Sequence, residues 1–376
     1  MMSGSEGAVA EILIDLGSLR KNYRLLRKEL ASGAELAAVV KADAYGLGVE
    51  RVVPVLVDEG CSIFFVATLE EGIAVRRVAK RAKIYVLNGI VGSDVWQDLY
   101  CHDIQPVLND LGQVDRWTVY RGQNPQNELA AAVHIDTGMT RYGVSATQIP
   151  LLKQRLGRGC SPSLLMSHLA CADEEGNELN HVQLMRFTRV VDSLSLGSSC
   201  CQLSLANSSG IFLGNEYHFN VARAGAAIYG INPQPNKPNK MAEVVHLKAK
   251  IAQVRFVDSP ATVGYGATHH VNAPARVATV PVGYADGFLR SLGGKGWGFV
   301  ADTYVPVVGR VSMDSITLDI SGVAEDQARE GSNVELIGQR RPLDIVAREA
   351  GTIGYEILTR ISRRIRRVYI DRNSVV

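Results

Sequence analysis

Short apolar runs, each closed by polar residues and followed by an amphipathic stretch, recur through the first two thirds of the chain. They lie at 36–40, 63–67, 84–87, 104–108, 129–135, 164–169, 202–206 and 219–222. Ahead of the first run, Leu19, Tyr23, Leu26 and Leu30 fall at spacings of four, three and four, which puts them on one helix face. Apolar runs of this length alternating with helices predict parallel strands buried on both faces. Eight of them in succession are what a (β/α)8 TIM barrel requires. An open doubly wound sheet is the competing α/β arrangement.

The texture then changes. Residues 232–240 (NPQPNKPNK) form a Pro/Asn-rich connector without apolar periodicity. Beyond it, Val245, Leu247, Ala249 and Ile251 alternate with polar residues, as half-exposed strands do. Further strands are predicted at 277–282, 305–308, 315–320 and 334–337, with one short helix at 343–350. The expected organisation is a barrel domain over 1–240, whose first residues are free to join the second domain, and a mainly antiparallel β domain over 241–376.

Composition narrows the function classes. The 376 residues are 46% hydrophobic and 21% charged with a net charge of +2, which is ordinary for a soluble enzyme and calls for no polyanionic partner. The basic segment 360–372 is interrupted by Ile361, Ile365, Val368 and Ile370 and reads as a solvated, partly packed face, not a nucleic-acid patch. Cys61, Cys101, Cys160, Cys171, Cys200 and Cys201 have no metal-type spacing and suit a reducing compartment. No apolar stretch is long enough to span a membrane and no secretion signal opens the chain, so a cytoplasmic protein is expected. No metal site is predicted: His269-His270 lacks a supporting cluster.

Lys41 follows the first run directly, at the C-terminal rim where such barrels carry their active sites. A partly desolvated lysine there has a lowered pKa and can form a Schiff base. Around it stands VVKADAYG (39–46), followed in order by DTGMTRYG (136–143), SHLACAD (167–173), ANSSG (206–210) and RAGAAIYG (223–230). Later come VGYGATH (263–269), VPVGYADGF (280–288), GRVSMD (309–314) and GYEILTRIS (354–362). This collinear set resembles the alanine racemase family over nearly the whole chain, from Ile12 to about Tyr369.

The resemblance implies a pyridoxal 5'-phosphate enzyme, an amino-acid racemase, that interconverts L- and D-alanine by a two-base mechanism. Lys41 would carry the cofactor and act on one face of the substrate, with Tyr265 on the other. Tyr45, His168, Asn207, Ser208, Arg223, Gly225, Ala226 and Tyr355 would hold the cofactor. Arg223 would face its ring nitrogen, since a guanidinium has no acceptor, with His168 steadying the arginine. Arg141 and the Met313 backbone would take the substrate carboxylate. Tyr284 with Tyr355 would form a narrow inner gate, and Asp173, Arg290, Arg310 and Ile353 an outer ring. Lys41 and Tyr265 lie in different domains, and in the family the tyrosine comes from the other subunit. A homodimer with shared active sites is therefore implied, supplying D-alanine for peptidoglycan.

One position departs from the family. His134 stands where many members have a lysine, often carbamylated, that helps fix the substrate-binding arginine. An imidazole cannot mimic a carbamate anion, so another acceptor, a bound anion or an acidic side chain, is expected to orient Arg141, and activity should not depend on bicarbonate. Competing readings are a broad-specificity amino-acid racemase on the same scaffold, a fold-related decarboxylase, and a non-catalytic pyridoxal-phosphate-binding barrel. The decarboxylase needs a cysteine in the β domain, and none occurs after Cys201. The carrier would lack the second domain and Tyr265.

Overall fold

Strand β1 (Ala10–Asp15) precedes eight parallel strands: β2 (Glu35–Val39), β3 (Ile63–Val66), β4 (Lys83–Val86), β5 (Gln105–Leu108), β6 (Ala132–His134), β7 (Leu164–Met166), β8 (Gln202–Ser204) and β9 (Val221–Ala224). The computed structural model describes residues 8–92, 95–126, 129–156, 161–195 and 201–371. Each of β2 to β8 pairs with its neighbour in sequence, and β9 returns to pair with β2. Between β8 and β9 the Asn220 N–H donates to the Leu203 carbonyl at 3.0 Å and the Arg223 N–H to the Ala206 carbonyl at 2.9 Å. The sheet thus curls into a nearly closed (β/α)8 barrel. The open doubly wound alternative, which would leave β8 and β9 as free edges, is excluded.

All eight apolar runs hold a barrel strand, because residues packed on both faces must be apolar. Phe65, Tyr85, Val107, Ala132, Met166 and Val221 fill the interior. The eighth strand starts inside the run at 219–222 and continues two residues past it, so it includes Arg223, which was expected to follow the strand. The cause is Arg223 itself, a charged residue buried in the ladder opposite Ala37. Helices between strands start where a side chain caps them. Thr68 accepts from the Glu71 N–H, Asp110 from Gln113 and Asn177 from Leu179. The predicted helix face is present on the helix Leu16–Glu29, where Leu19, Tyr23 and Leu26 are buried.

The remaining strands are β10 (Val245–Lys250), β11 (Gln253–Val257), β12 (Ala261–Val263), β13 (His269–Val271), β14 (Ala275–Val280), β15 (Trp297–Val300), β16 (Thr303–Pro306), β17 (Ile316–Asp319), β18 (Asn333–Ile337) and β19 (Arg366–Ile370). They form a six-stranded sheet in the order β16-β15-β18-β10-β1-β19, a three-stranded sheet β11-β14-β17 and a ribbon β12-β13. Pairing is antiparallel except between β1 and β19. The basic segment, read as a solvated, partly packed face, is in part strand β19, most of whose residues are half-buried, with Arg367 opposite Ile12. Contacts divide the chain into two compact units: Arg20–Ile228 with Asn232–Met241, and the N-terminal residues through Leu19 with Tyr229–Ile231 and the chain from Ala242 onward.

Among the described residues no helix is long and apolar enough to cross a membrane. Cys61, Cys101, Cys171 and Cys201 are free thiols, whereas Cys160 and Cys200 lie outside the described residues.

Candidate active site

Lys41 begins the turn that follows β2. The next four residues, Ala42, Asp43, Ala44 and Tyr45, all have φ between 54° and 57°, a left-handed turn made without glycine. Each such residue costs roughly 1–2 kcal/mol, so the turn persists only because its surroundings hold it. The Ala44 N–H donates to the Val40 carbonyl at 2.9 Å and the Gly46 N–H to Ala42 at 2.7 Å. The Asp43 carboxylate accepts from the Val49 N–H at 2.8 Å. Glu71, from the helix after β3, accepts the Ala42 N–H through Oε1 and the Ala67 N–H through Oε2, both at 2.7 Å. Burial, then the Arg141 cation, lowers the Lys41 amine from its usual range, and Glu71 opposes them. Among the described residues that amine has no hydrogen-bond or ion-pair partner, so it is available for reaction.

Arg223 on β9 is buried and surrounded by neutral acceptors. Its guanidinium donates to Ser204 Oγ at 2.5 Å, to the Ser167 carbonyl at 2.6 Å and to His168 Nδ1 at 3.1 Å. No carboxylate is among these partners, and burial pulls the arginine down to about 9. Because arginine only donates, His168 Nδ1 must accept, which puts the imidazole proton on Nε2. Burial and the nearby Arg223 keep His168 neutral. A buried cation without an anion of its own is a site prepared for an electron-rich ligand.

Beside it, Ser208 Oγ accepts the N–H groups of Gly225 at 2.9 Å and Ala227 at 3.3 Å. Gly225 carries no Cβ, and one built there would lie 2.5 Å from the Tyr45 hydroxyl. Ala226 is buried at the start of the short helical turn Ala226–Tyr229. These amides and hydroxyls after strands seven and eight of the barrel are a phosphate cradle in kind. With the lone cation of Arg223 and the unpartnered amine of Lys41, the donor set fits pyridoxal phosphate. The Asn207 side chain is engaged elsewhere, accepting from the Gly210 N–H at 2.9 Å and reaching the Leu169 carbonyl at 3.4 Å.

His134 ends β6. Its Nδ1 lies 3.0 Å from Asn109 Oδ1, and the Asn109 amide nitrogen donates to the Leu87 carbonyl at 2.9 Å. Asn109 Oδ1 is therefore the acceptor and His134 carries its proton on Nδ1. Burial, with the cations of Arg223 and Arg141 nearby, lowers this imidazole to about 3. Of the two acceptors expected to orient Arg141, a bound anion or an acidic side chain, no acidic side chain pairs with it among the described residues. Asp136 Oδ1 instead accepts the N–H groups of Gly138, Met139 and Thr140 at 2.9–3.1 Å, bracing the loop that carries Arg141. The guanidinium has no hydrogen-bond partner among the described residues and is left for a ligand. In the same unit, exposed Asp173 lines a pocket with Asn177, Ser209 and Lys237.

The second unit gathers most of the other predicted residues. Tyr265 sits at the tip of the β12-β13 ribbon between Gly264 and Gly266, both at positive φ, and is 73% exposed. A Cβ on Gly266 would meet the Arg310 guanidinium at 3.1 Å, so Arg310 lies beside this tip. Gly293 packs on the Arg310 backbone and its N–H donates to the Arg290 carbonyl at 3.2 Å, which brings Arg290 to the same place. The Ala285 N–H donates to the Met313 carbonyl at 3.0 Å and the Tyr284 N–H to Ser312 at 3.1 Å, joining the Tyr284 and Met313 segments. Ile353, 61% exposed, caps the helix Gly354–Arg360 that carries Tyr355.

Sequence reasoning missed Glu71, Asn109, Gln183 and Ser204. Gln183 accepts from the Ala170 N–H and donates to Thr137 Oγ1 and the His168 carbonyl, tying the His168 segment to the loop at 137. Only a buried polar residue on an otherwise amphipathic helix could have flagged it. Glu71 did carry a signal, since Thr68-Leu69-Glu70-Glu71 has the spacing of a capping box.

The chain matches the family model of the alanine racemase N-terminal domain over residues 14–233 and that of the alanine racemase C-terminal domain over 244–369. It is 44% identical to a catabolic alanine racemase of Mesorhizobium japonicum, over 97% of this chain and 95% of that protein. With an alanine racemase of Rhodospirillum rubrum it shares 42% identity, over 98% of each. Among solved structures, the alanine racemase of Bartonella henselae with covalently bound pyridoxal phosphate superposes with a TM-score of 0.91. That comparison has 35% identity and covers 96% of this chain and all of the other.

Proposed function

This chain belongs to the alanine racemase family, and from that premise we propose that it interconverts L- and D-alanine with Lys41 and Tyr265 as the two proton-transferring groups. It is an isomerase that depends on pyridoxal phosphate. The observation that supports Lys41 as the cofactor-bearing base is its amine, lowered and unpartnered among the described residues, in the same barrel as a buried Arg223 that has no anion to match it. When bound, the cofactor withdraws electrons from the substrate and makes its Cα–H bond acidic. Ser208 and the amides of Gly225 and Ala226 take its phosphate, with the hydroxyls of Tyr45 and Tyr355. Arg223, having no acceptor, keeps the ring nitrogen unprotonated. Arg141 and the Met313 backbone bind the alanine carboxylate. Lys41 removes or returns the proton at Cα on one face, and the Tyr265 hydroxyl does the converse on the other.

The partner of each barrel is the second unit of another copy. Supporting this, Tyr265, Met313 and Ile353 expose 73%, 54% and 61% of their surface, with Tyr284 and Tyr355 also exposed. Large side chains this exposed suit burial against a partner. In a C2 dimer, Tyr265 of one copy would complete the site built around Lys41 of the other. Mixing Lys41→Ala and Tyr265→Phe subunits tests this. Half of randomly formed dimers are mixed and hold one intact site, so activity should return to about a quarter of the wild-type value. No recovery would contradict the shared site.

The tyrosine gate made by Tyr284 and Tyr355, ringed by Asp173, Arg290, Arg310 and Ile353, favours a methyl side chain over larger ones. The site serves a cytoplasmic supply of D-alanine for peptidoglycan. The name of the Mesorhizobium japonicum relative supports a second reading, catabolic use of alanine. Deleting the gene distinguishes them: a D-alanine requirement supports the first, and loss of growth on alanine alone the second.

A further inference from the structure

Glu71 is bound into the active-site backbone in a way its sequence position does not require. Following Thr68 at capping-box spacing, it would ordinarily turn back onto its own helix end. Here its two carboxylate oxygens are split between two barrel strands. One takes the Ala42 N–H beyond β2 and the other the Ala67 N–H beyond β3. Ala42 is the first residue of the left-handed turn and is bonded directly to Lys41. Of the turn's four residues only Asp43 has any tendency to positive φ, so the run of four must be held from outside. Glu71 is the acidic side chain that reaches its first residue.

We propose that Glu71 is a positioning residue of this racemase, whose carboxylate bridges the Ala42 and Ala67 amides and thereby holds the left-handed turn from which Lys41 projects. The proposal rests on Lys41 being the cofactor-bearing base. Two consequences follow, one geometric and one electrostatic. Loosening the turn misplaces the Lys41 amine, which acts only from a defined position. Losing the negative charge removes the group that favours the ammonium form of Lys41, which burial and Arg141 oppose.

The test compares wild-type holoenzyme with Glu71→Gln and Glu71→Asp. Glutamine keeps the length but loses the charge and one acceptor. Aspartate keeps the charge but is too short to bridge both amides. Three quantities are read: hydrogen exchange at Ala42 and Ala67, kcat and KM in both directions, and the pH profile. In both variants exchange at these two amides should quicken about tenfold or more, and kcat should fall about tenfold to a hundredfold with KM changed far less. In Glu71→Gln alone, the limb of the profile that reports Lys41 should move to lower pH. Unchanged exchange, or a lowered melting temperature with unaltered kcat and pH profile, would overturn the clamp while the racemase reading stands. A wild-type protein that racemises nothing would overturn both.

Discussion

Asn109 Oδ1 accepts the Nδ1–H of His134 at 3.0 Å, and this single bond fixes the tautomer of a buried imidazole at the barrel rim. The imidazole stays neutral because burial and the cations of Arg223 and Arg141 lower it to about 3, from an ordinary 6.5. Its folded value is thus below its unfolded one. The unfolded chain takes up a proton as pH falls through 6.5 while the folded protein does not. His134 therefore contributes stability that is full above pH 6.5 and is lost progressively down to about pH 3. The slope is about 1.4 kcal/mol per pH unit for one proton. In urea titrations across that window, His134→Gln should lose stability less steeply than wild type. Equal slopes would show that His134 is protonated in the fold.

A neutral imidazole has no amine on which carbon dioxide could form a carbamate. Racemisation should proceed at the same rate in CO2-depleted buffer and with bicarbonate added. A bicarbonate-dependent rate would contradict the role given to this position.

Asp136 braces the Arg141 loop through three N–H groups, of Gly138, Met139 and Thr140. Thr140 holds φ 54°, so the loop needs that support. Asp136→Ala should raise KM for alanine about fivefold to thirtyfold, the worth of a charged cap of about 1–2 kcal/mol, with a smaller change in kcat. Asp136→Asn retains an acceptor oxygen and should lie between. An effect on kcat alone would mean the loop acts on chemistry and not on substrate binding.

Gly225 is needed for space. A methyl group there would lie 2.5 Å from the Tyr45 hydroxyl and 3.3 Å from its ring. Gly225→Ala should displace Tyr45 and weaken pyridoxal phosphate binding about tenfold or more, the worth of roughly 1.4 kcal/mol, as read by absorbance titration of the cofactor-free protein. Unchanged affinity would remove Gly225 and Tyr45 from the phosphate cradle.

How far the chain could be read without coordinates follows from the range of the forces involved. The barrel strands were legible because double burial demands apolar runs, and the helix Leu343–Ala350 because its period is local. Strand β1 was missed: its partner residues lie far along the chain, Ala10 opposite Ala249, and no local pattern encodes that. Strand β11 escaped because it is short and most of its residues are exposed, Phe256 among them, so its brief alternation marks no buried face. At the site, Lys41 and Arg223 were found by motif. The left-handed turn was not, since residues 42–45 contain no glycine and the conformation is fixed by Glu71 from another element. Asn109 was invisible for a similar reason: its meaning depends on His134, a neighbour across the barrel ladder.

The central claim is racemisation of alanine by Lys41, and circular dichroism of L-alanine incubated with the protein and pyridoxal phosphate tests it most directly. The signal should decay to zero with wild type and persist with Lys41→Ala. A signal that persists with a wild-type protein showing the absorbance of bound cofactor would contradict the account and direct attention to larger or basic amino acids.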